Sequence, residues 1–413
     1  MTDNKHDIKP DVNCDNNPPE DRGENIALMQ PLYISDSSKH REKLNDLSLE
    51  LAARSSGFRH SLPDGIASAL SELVRSMNCY YSNLIEGHNT HPVDIERALN
   101  DDYSEDHEKR DLQLEAKAHI QVQRWIDEGG LDGRETTSEG LCEIHQYFCE
   151  QLPEKLLWVE NPETGEIQRI IPGQLRRTDV QVGQHVAISP GAIPRFLTAF
   201  DREYSNKGKT ASIIAAAGAH HRFLWVHPFI DGNGRVARLM SHAILKKHLG
   251  TGGLWSVTRG LARSQQKYKG HLQACDLRRR NDLDGRGNLS EECLADFTTF
   301  FLETCIDQID FMENLVAPKK LQERIRLWAE EEIRLGNIPK KSILILDALL
   351  YRGELPRADI PDMLGTSPRQ ASRTFAPLME MGVIQSKSTR ASLTLSFPAT
   401  LAPRWMPGLF PDH

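Results

Sequence analysis

No stretch of this sequence is apolar over the roughly 20 consecutive residues that a helix needs to cross a bilayer. Residues 1–25 likewise have neither the basic start nor the apolar segment of a secretory signal peptide. With 39% apolar and 26% charged residues, the composition is that of a globular chain. These absences exclude an integral membrane protein, and they predict a cytoplasmic location without a membrane partner.

Cysteines are few and scattered along the chain. The seven that occur form no CxxC pair, and an odd number cannot all be paired in disulfides. This pattern excludes the usual zinc framework and is typical of reduced thiols in a cytosol. The residues are Cys14, Cys79, Cys142, Cys149, Cys275, Cys293 and Cys305.

An excess of positive charge is also absent. Across 413 residues, 50 basic side chains stand against 58 acidic ones, which gives a net charge of -8. No field of the whole protein therefore attracts nucleic acid or anionic lipid. The length predicts two or three compact units. Residues 341–413 carry eight basic and six acidic side chains, so their opposite balance marks them as one separate unit.

Helical periodicity dominates most of the chain. Residues 1–26 are polar, acidic and proline-bearing, so we expect a disordered leader there. Residues 27–136 are predicted to form an N-terminal helical region, in which Ser61 is the expected N-cap of a helix that Gly87 ends. Short strand-like runs interrupt the helices between Leu156 and Ile188. The predicted fold class is mainly α, with a small β element inside a helical protein.

The stretch HPFIDGNGRVAR, residues 227–238, concentrates groups that can carry chemistry. Pro228 disfavours helix at His227 and leaves its imidazole at the mouth of a loop. The glycines that follow let backbone N–H groups point into one concavity, where a helix begins and its dipole favours an anion. A base, the Asp231 carboxylate, this loop and two arginines together indicate phosphoryl or nucleotidyl transfer. The alternative is an ordinary tight turn after a structural histidine.

The same stretch resembles the signature of the Fic family, HxFx(D/E)GNGRxxR, at every defined position. The resemblance covers residues 137–315 and implies a helical catalytic core that transfers AMP from Mg-ATP to a Ser, Thr or Tyr hydroxyl of a protein. It implies His227 as the general base, a role that suits imidazole, and Asp231 as the Mg²⁺ ligand. The implied nucleotide-binding residues are Gly232, Asn233, Gly234, Arg235 and Arg238, with Arg238 at the γ-phosphate.

A flap before the motif is a second implication of the resemblance. The segment PGQLRRTDVQVGQ matches the family's β-hairpin flap, which registers the target protein by strand addition. The edge of this flap corresponds to Val180, Gln181 and Val182.

One position after the motif departs from many relatives. Where they have two aromatic residues beside adenine, this sequence has Tyr268 and Lys269. Tyr268 can still pack against the base, but the ammonium of Lys269 leaves UTP or another nucleotide open as the donor.

A shorter match lies far upstream, at the end of a predicted helix. Ser82-Asn-Leu-Ile-Glu86-Gly87 resembles the inhibitory motif (S/T)xxxE(G/N) of self-restrained Fic proteins. A carboxylate there can form a bidentate pair with Arg238 and withdraw it from ATP, with Ser82 steadying Glu86 from one turn earlier. In some members of the family the same glutamate supports removal of AMP. The alternative is an ordinary helix end capped by glycine.

The end of the chain suggests a further module. Residues 316–340 are expected to form a helical linker, and the helices and hairpin predicted over residues 341–413 resemble a winged helix. The small positive net charge of this module favours protein docking over DNA binding. A homodimer is a further possibility that the sequence leaves open. The candidate DNA contacts are Arg369, Gln370 and Arg373 on a helix, and Lys387 and Arg390 on the wing.

Two functions of different classes follow from these patterns. The favoured one is a protein adenylyltransferase that Glu86 holds inactive and that is able to remove AMP as well. The alternative is a DNA-binding transcriptional or toxin–antitoxin regulator whose Fic domain senses a nucleotide.

Overall fold

The computed structural model describes residues 18–160, 165–251 and 253–411. It is mainly helical with small antiparallel sheets, which confirms the fold class predicted from the sequence. Within those ranges, no helix is both long and apolar enough to span a membrane.

The elements before residue 251 build a helical body with two short hairpins. They are α1 (Arg41–His60), α2 (Asp64–Ile85), α3 (Pro92–Leu99), α4 (His107–Asp127), α5 (Ser138–Cys149), β1 (Trp158–Glu160), β2 (Ile167–Arg169), β3 (Gln181–Val182), β4 (His185–Val186), α6 (Ile193–Tyr204), α7 (Lys209–Val226) and α8 (Asn233–Leu249). Strand β1 pairs with β2, and β3 pairs with β4.

The later elements complete the body and add a small mixed unit. They are α9 (Val257–Arg263), α10 (Gln265–Cys275), α11 (Glu291–Leu315), α12 (Pro318–Leu335), α13 (Ser342–Arg352), β5 (Glu354–Leu355), α14 (Ile360–Leu364), α15 (Pro368–Glu380), β6 (Ile384–Gln385), β7 (Leu393–Leu395) and α16 (Ala402–Trp405). The three strands form one antiparallel sheet in the order β5–β7–β6.

Helices α7 and α8 form the centre of the body and pack against each other. The α7 residues Ala216, Ala217 and Ala219 are fully buried, and their small side chains let neighbouring chain segments approach the helix closely. At Gly218 an added Cβ would lie 2.8 Å from the Leu32 carbonyl oxygen, so glycine is required there. The loop of residues 227–232 joins these two buried helices and is therefore held at both ends.

Helix α2 begins later than the sequence predicts. Ser61 is not its N-cap: the residue has helical backbone angles and closes the end of α1, where its Oγ donates to the Phe58 carbonyl at 2.8 Å. Helix α2 starts at Asp64 with Pro63 as the N-cap, because the backbone becomes extended only there. At the other end, Gly87 has φ +90° and stops the helix as predicted.

Helix α2 is buried along most of its length between α4 and α9. Asn78 Nδ2 donates to Gln123 Oε1 on α4 at 2.6 Å, and Ser256 Oγ, which caps α9, donates to Asn78 Oδ1 at 2.5 Å. These bonds fix the position of the helix that ends in Ser82 and Glu86.

Residues 18–26 differ from the predicted disordered leader, while residues 1–17 lie outside the described residues. Glu24 accepts hydrogen bonds from both the backbone N–H and the hydroxyl of Ser189, at 2.7 and 2.6 Å. Arg22 forms a bidentate pair with Asp179 at the base of the flap. The prediction from composition is wrong for this segment because ion pairs and hydrogen bonds, not apolar burial, hold it in place.

The unit that follows residue 340 has the helices and hairpin predicted there, with β5 as an additional strand. Its last residues lie against α2: Tyr81 Oη donates to the Leu409 carbonyl at 3.0 Å, and the ring of Phe410 packs edge-on against Tyr80 at 5.5 Å. Domain boundaries near residues 136, 315 and 340 stay predictions.

Candidate functional site

His227 follows the last turn of α7 in a left-handed conformation, with φ 49° and ψ 61°. Its backbone N–H still donates to the Phe223 carbonyl at 3.0 Å, so the residue caps the helix. This conformation costs a non-glycine residue about 1 kcal/mol or more. The imidazole Nδ1 lies 3.4 Å from the Leu224 carbonyl, which favours hydrogen on Nδ1 and leaves Nε2 as the basic nitrogen.

The protonation state of His227 is set by its surroundings. Burial lowers its pKa to about 4, and the Leu224 carbonyl offsets this only in part. The imidazole is therefore neutral at pH 7 and able to accept a proton. It is partly exposed and lies in the wall of a cavity of about 380 Å³.

The flap hairpin forms the facing wall of this cavity. Val180, Gln181 and Val182 line it together with His227, as the sequence predicts for the flap edge. In the hairpin Gln181 pairs with Val186, and the side chains of Val182 and Val186 are 49% and 62% exposed. A strand edge with exposed apolar groups beside a base is a suitable surface for an extended peptide.

Arg176 ties the flap to the loop that carries His227, a role that no sequence signal marks. Its Nε donates to the His227 carbonyl at 2.7 Å, and its Nη2 donates to the Ile188 carbonyl at 2.6 Å. Its backbone N–H donates to the Pro228 carbonyl at 2.9 Å. Burial lowers the pKa of this guanidinium to about 10, so it stays charged at pH 7.

The glycines of the loop fit positions that larger residues cannot take. Gly232 has φ +81°, and an added Cβ would lie 3.4 Å from the ring of His145 on α5, which stacks on Phe229 at 3.9 Å. At Gly234 an added Cβ would lie 2.5 Å from Glu86 Oε1. The space over Gly234 is thus occupied by the Glu86 carboxylate and by Arg238 Nη1, which lies 3.1 Å from the same point.

The side chain of Asn233 holds the loop in shape, and the nucleotide contact that the resemblance implies for this residue stays a prediction. Its Oδ1 accepts from the Phe229 N–H at 3.0 Å, and its Nδ2 donates to the Phe229 carbonyl at 2.9 Å. The side chain is 2% exposed. It clamps the loop by bonding both backbone polar groups of Phe229.

Asp231 is the candidate magnesium ligand, and its side chain is exposed just before the glycines. Across the ranges that the structure describes, no group of three or more His, Cys, Asp or Glu residues is placed to hold a metal. Magnesium bound with a nucleotide takes one or two protein carboxylates and otherwise phosphate and water oxygens. A single exposed carboxylate at an anion-binding loop fits a shared ion of that kind, but not a metal site made of protein ligands alone.

Arg238 is the most completely enclosed charge of the site, at 2% exposure. Its Nη2 donates to Glu86 Oε1 at 2.5 Å and its Nε to Ser82 Oγ at 2.9 Å. The contact between Glu86 and Arg238 is the one predicted, although one carboxylate oxygen is used where a bidentate pair was expected. Burial alone would raise the pKa of Glu86, but the charges of Arg238 and Arg235 outweigh it and hold that pKa below its usual range.

Arg235 is held by a partner that sequence reasoning missed. Its Nη2 donates to Glu115 Oε1 on α4, and its guanidinium lies over the Phe148 ring at 5.3 Å. Glu115 Oε2 also lies 2.9 Å from His88 Nδ1, which donates to it. Burial alone would raise the pKa of Glu115, but the hydrogen bond from His88 and the charge of Arg235 outweigh it and lower that pKa.

Tyr268 is buried at 3% exposure, which leaves little of its ring available to an adenine in this conformation. Its hydroxyl lies 2.7 Å from His220 Nε2, and His220 Nδ1 lies 2.9 Å from Ser241 Oγ. Burial raises the pKa of Tyr268 to about 12. The neighbouring Lys269 is exposed.

Comparisons with known proteins match part of the chain to one family. Residues 135–245 match the model of the Fic/DOC family. Over 85 residues the chain is 35% identical to the protein adenylyltransferase Fic of Drosophila persimilis and 33% identical to that of Drosophila melanogaster. The match covers 20% of this chain and 17% of the length of those relatives.

A solved structure extends the likeness beyond the motif. The crystal structure of a Fic family protein from Desulfovibrio desulfuricans G20 superposes on 89% of this chain and 98% of its own, with a TM-score of 0.50 and 17% identity. At that identity the likeness concerns the fold alone. The part of the chain that matches the Fic/DOC family, residues 135–245, thus contains the motif loop near its C-terminal end.

Proposed function

We propose that this protein is an adenylyltransferase that moves AMP from ATP to a Ser, Thr or Tyr hydroxyl of a protein. The observation that carries the proposal is the neutral His227 in the wall of the flap cavity, directly before an anion-binding helix start. The relatives named protein adenylyltransferase support AMP as the transferred group. A cytoplasmic location, where ATP is abundant and the six described cysteines stay free, belongs to the same proposal.

In this mechanism each group of residues has its own role in binding or proton transfer. A target segment lies along the edge formed by Val180, Gln181 and Val182, which brings its hydroxyl into the cavity beside His227. His227 Nε2 takes the hydroxyl proton as the oxygen attacks the α-phosphate. The N–H groups at the start of α8 and the side chain of Arg235 hold the phosphates. Magnesium, bound at Asp231, would neutralise charge on the leaving pyrophosphate.

The same proposal includes restraint of the site by α2. Arg238 would bind the γ-phosphate, but Glu86 and Ser82 occupy its donors. Glu86 Oε1 also lies over Gly234, where a phosphate would approach the helix start. ATP then binds without the orientation that transfer requires.

Incorporation of labelled AMP tests both parts. With Mg²⁺ and ATP labelled at the α-phosphate, we expect Glu86→Gly to label itself about tenfold more than wild type, a gain equivalent to ~1.4 kcal/mol. His227→Ala in the Glu86→Gly background should abolish labelling. His248→Ala, at the far end of α8, is the matched control and should leave it unchanged. Failure of every variant to incorporate AMP would overturn the proposal, and competition with UTP identifies the donor.

Removal of AMP is tested on the product of that reaction. Protein labelled by Glu86→Gly is separated from nucleotide and incubated with unlabelled wild type. Release of AMP by wild type, and not by Glu86→Gly, would support a second role for Glu86. Stable label in both incubations would assign Glu86 to restraint alone.

DNA binding by the C-terminal unit is the second candidate function. It is supported by the exposure of Arg369, Gln370 and Arg373 at the start of α15 and of Lys387 and Arg390 in the following hairpin. A gel shift that weakens with salt and is lost in the Arg369→Ala, Arg373→Ala double variant would favour DNA. No shift at low salt would leave protein docking as the proposed role of this unit.

A further inference from the structure

Glu115 stands apart from the motif yet touches it at a central point. It lies in the middle of α4, 120 residues before Arg235 in the chain, and receives a hydrogen bond from that arginine. The two side chains are each 8% exposed. A buried ion pair of this kind gains little net stability over apolar packing, although removing one partner is costly. Stability alone is therefore a weak explanation for an acid at this position.

Glu115 also has a second partner, in the turn that follows α2. His88 Nδ1 donates to Glu115 Oε2 at 2.9 Å, and it lies two residues after Glu86. Both motif arginines thus meet the turn after α2. Glu86 contacts Arg238, while His88 shares Glu115 with Arg235 and its Nδ1 also lies 3.4 Å from Arg235 Nη2. The carboxylate of Glu115 is fixed from two sides before any nucleotide binds.

The donors of Arg235 are only partly used by this contact. Its Nη2 is taken by Glu115, while its Nε is buried without a hydrogen-bond partner. A buried guanidinium nitrogen without a partner is costly unless a ligand or water completes its hydrogen bonding. Arg235 lies in the first turn of α8, next in the chain to Gly234, which has no side chain of its own to block an anion. An anion at that helix start is the group that its unused donors suit.

We infer that Glu115 is a positioning residue, which orients the Arg235 guanidinium so that its remaining donors meet the nucleotide phosphates. This inference rests on the proposed adenylyl transfer and names a residue that supports it from outside the motif. Because Glu115 acts through the position of its oxygen, the reach of the side chain matters more than its charge. A shift of about 1 Å in a positioned group can cost up to 100-fold in rate.

Two substitutions separate reach from charge. Glu115→Gln removes the charge but keeps the length, since the amide oxygen can accept from Arg235 and the amide nitrogen can donate to neutral His88. Glu115→Asp keeps the charge but withdraws the carboxylate by one methylene. If Glu115 positions Arg235, Glu115→Gln should retain more activity than Glu115→Asp. If Glu115 only neutralises the charge of Arg235, the order should be reversed.

The experiment uses the full chain with Glu86→Gly as the parent, so that Arg238 is released in every variant. We expect Glu115→Asp to lower kcat for AMP incorporation about tenfold, while Glu115→Gln stays within about threefold of the parent. Melting temperatures measured beside them should not follow this order. Equal kcat in both variants, a larger loss in Gln, or losses that track melting temperature would overturn the inference.

Calorimetric binding of Mg-ATP separates this outcome from failure of the proposed function. A parent that binds Mg-ATP but transfers nothing would overturn adenylyl transfer. The two variants would then be ranked by their Kd for Mg-ATP, and Glu115→Asp should bind more weakly than Glu115→Gln. A parent that neither binds nor transfers would overturn both. Transfer by the parent with no difference between the variants would overturn only the role of Glu115.

Discussion

Glu86 Oε1 lies 2.5 Å from Arg238 Nη2, and the same oxygen lies 2.5 Å from the point where a Cβ on Gly234 would be. One atom thus neutralises the arginine and covers the start of α8. Glu86 and Arg238 are 152 positions apart in the chain. The carboxylate is about one-third exposed, so solvent reaches the closed arrangement. A shift of this one side chain would break both contacts without unfolding α2.

The hydroxyl of Ser82 should contribute to this arrangement to a smaller degree. It accepts a hydrogen bond from Arg238 Nε at 2.9 Å in a fully buried position. Ser82→Ala leaves that buried donor without a partner, which destabilises the inhibitory arrangement by about 1–3 kcal/mol. We expect a several-fold rise in AMP incorporation over wild type, below that of Glu86→Gly. Ser71→Ala, on the same helix, is the control, because its hydroxyl donates to the Ser68 carbonyl within α2. Labelling no greater than that of Ser71→Ala would contradict the prediction.

The pH dependence of transfer should report the burial of His227. A base whose pKa is lowered to about 4 stays neutral as the pH falls, until the pH approaches that value. For the Glu86→Gly variant we expect kcat/KM to change little between pH 8 and about 5.5. An unburied imidazole would instead lose most of its activity below about pH 6.5. Rates measured with a fixed excess of Mg²⁺ check this, and circular dichroism at each pH serves as the control for folding. A steep loss centred near 6.5 would contradict it.

The sequence predicts local features of this site well and distant pairings poorly. Glycines, proline and helical periodicity mark the loop of residues 227–232 and the helices around it, because those signals act over a few residues. The contact between Glu86 and Arg238 was accessible only through a family motif. Glu115 has no comparable signal, since an acid in an amphipathic helix is ordinarily a solvated residue. Its burial depends on how α4 packs, which periodicity does not specify.

Two features that the sequence did not predict have the same physical origin. Residues 18–26 lack the apolar groups that usually order a segment, yet Glu24 and Arg22 find partners on a surface formed by distant parts of the chain. Asn233 lies in the loop predicted to bind phosphate, and its side-chain amide also completes the hydrogen bonds of Phe229, which no sequence signal indicates. In each case the hydrogen-bond partners of a polar side chain are set by tertiary contacts, which composition does not reveal.

The Asn233 clamp should be important for folding stability. Asn233→Ala leaves the buried N–H and carbonyl of Phe229 without partners, so we expect the free energy of unfolding to fall by about 2–4 kcal/mol. Asn314→Ala is the control, because it removes an exposed amide that donates to the Asp310 carbonyl in its own helix. It should change the free energy of unfolding by less than about 0.5 kcal/mol. Urea denaturation followed by circular dichroism measures both. Equal midpoints for the two variants would show that the clamp is not needed.

The contact between Tyr81 and Leu409 should hold the end of the chain against α2. Tyr81 is 1% exposed, and its hydroxyl donates to the Leu409 carbonyl, while Arg259 Nη2 donates to the Gly408 carbonyl beside it at 2.8 Å. Tyr81→Phe removes one of these bonds and leaves the carbonyl of Leu409 unpaired, at a cost of about 1 kcal/mol or more. We expect faster hydrogen exchange in residues 405–411 and earlier proteolysis there, with the body of the protein unchanged. Tyr351→Phe, at a tyrosine that is 86% exposed, makes the same chemical change and should leave exchange as in wild type. Equal exchange in the two variants would show that side-chain packing of residues such as Phe410, and not this hydrogen bond, fixes the segment.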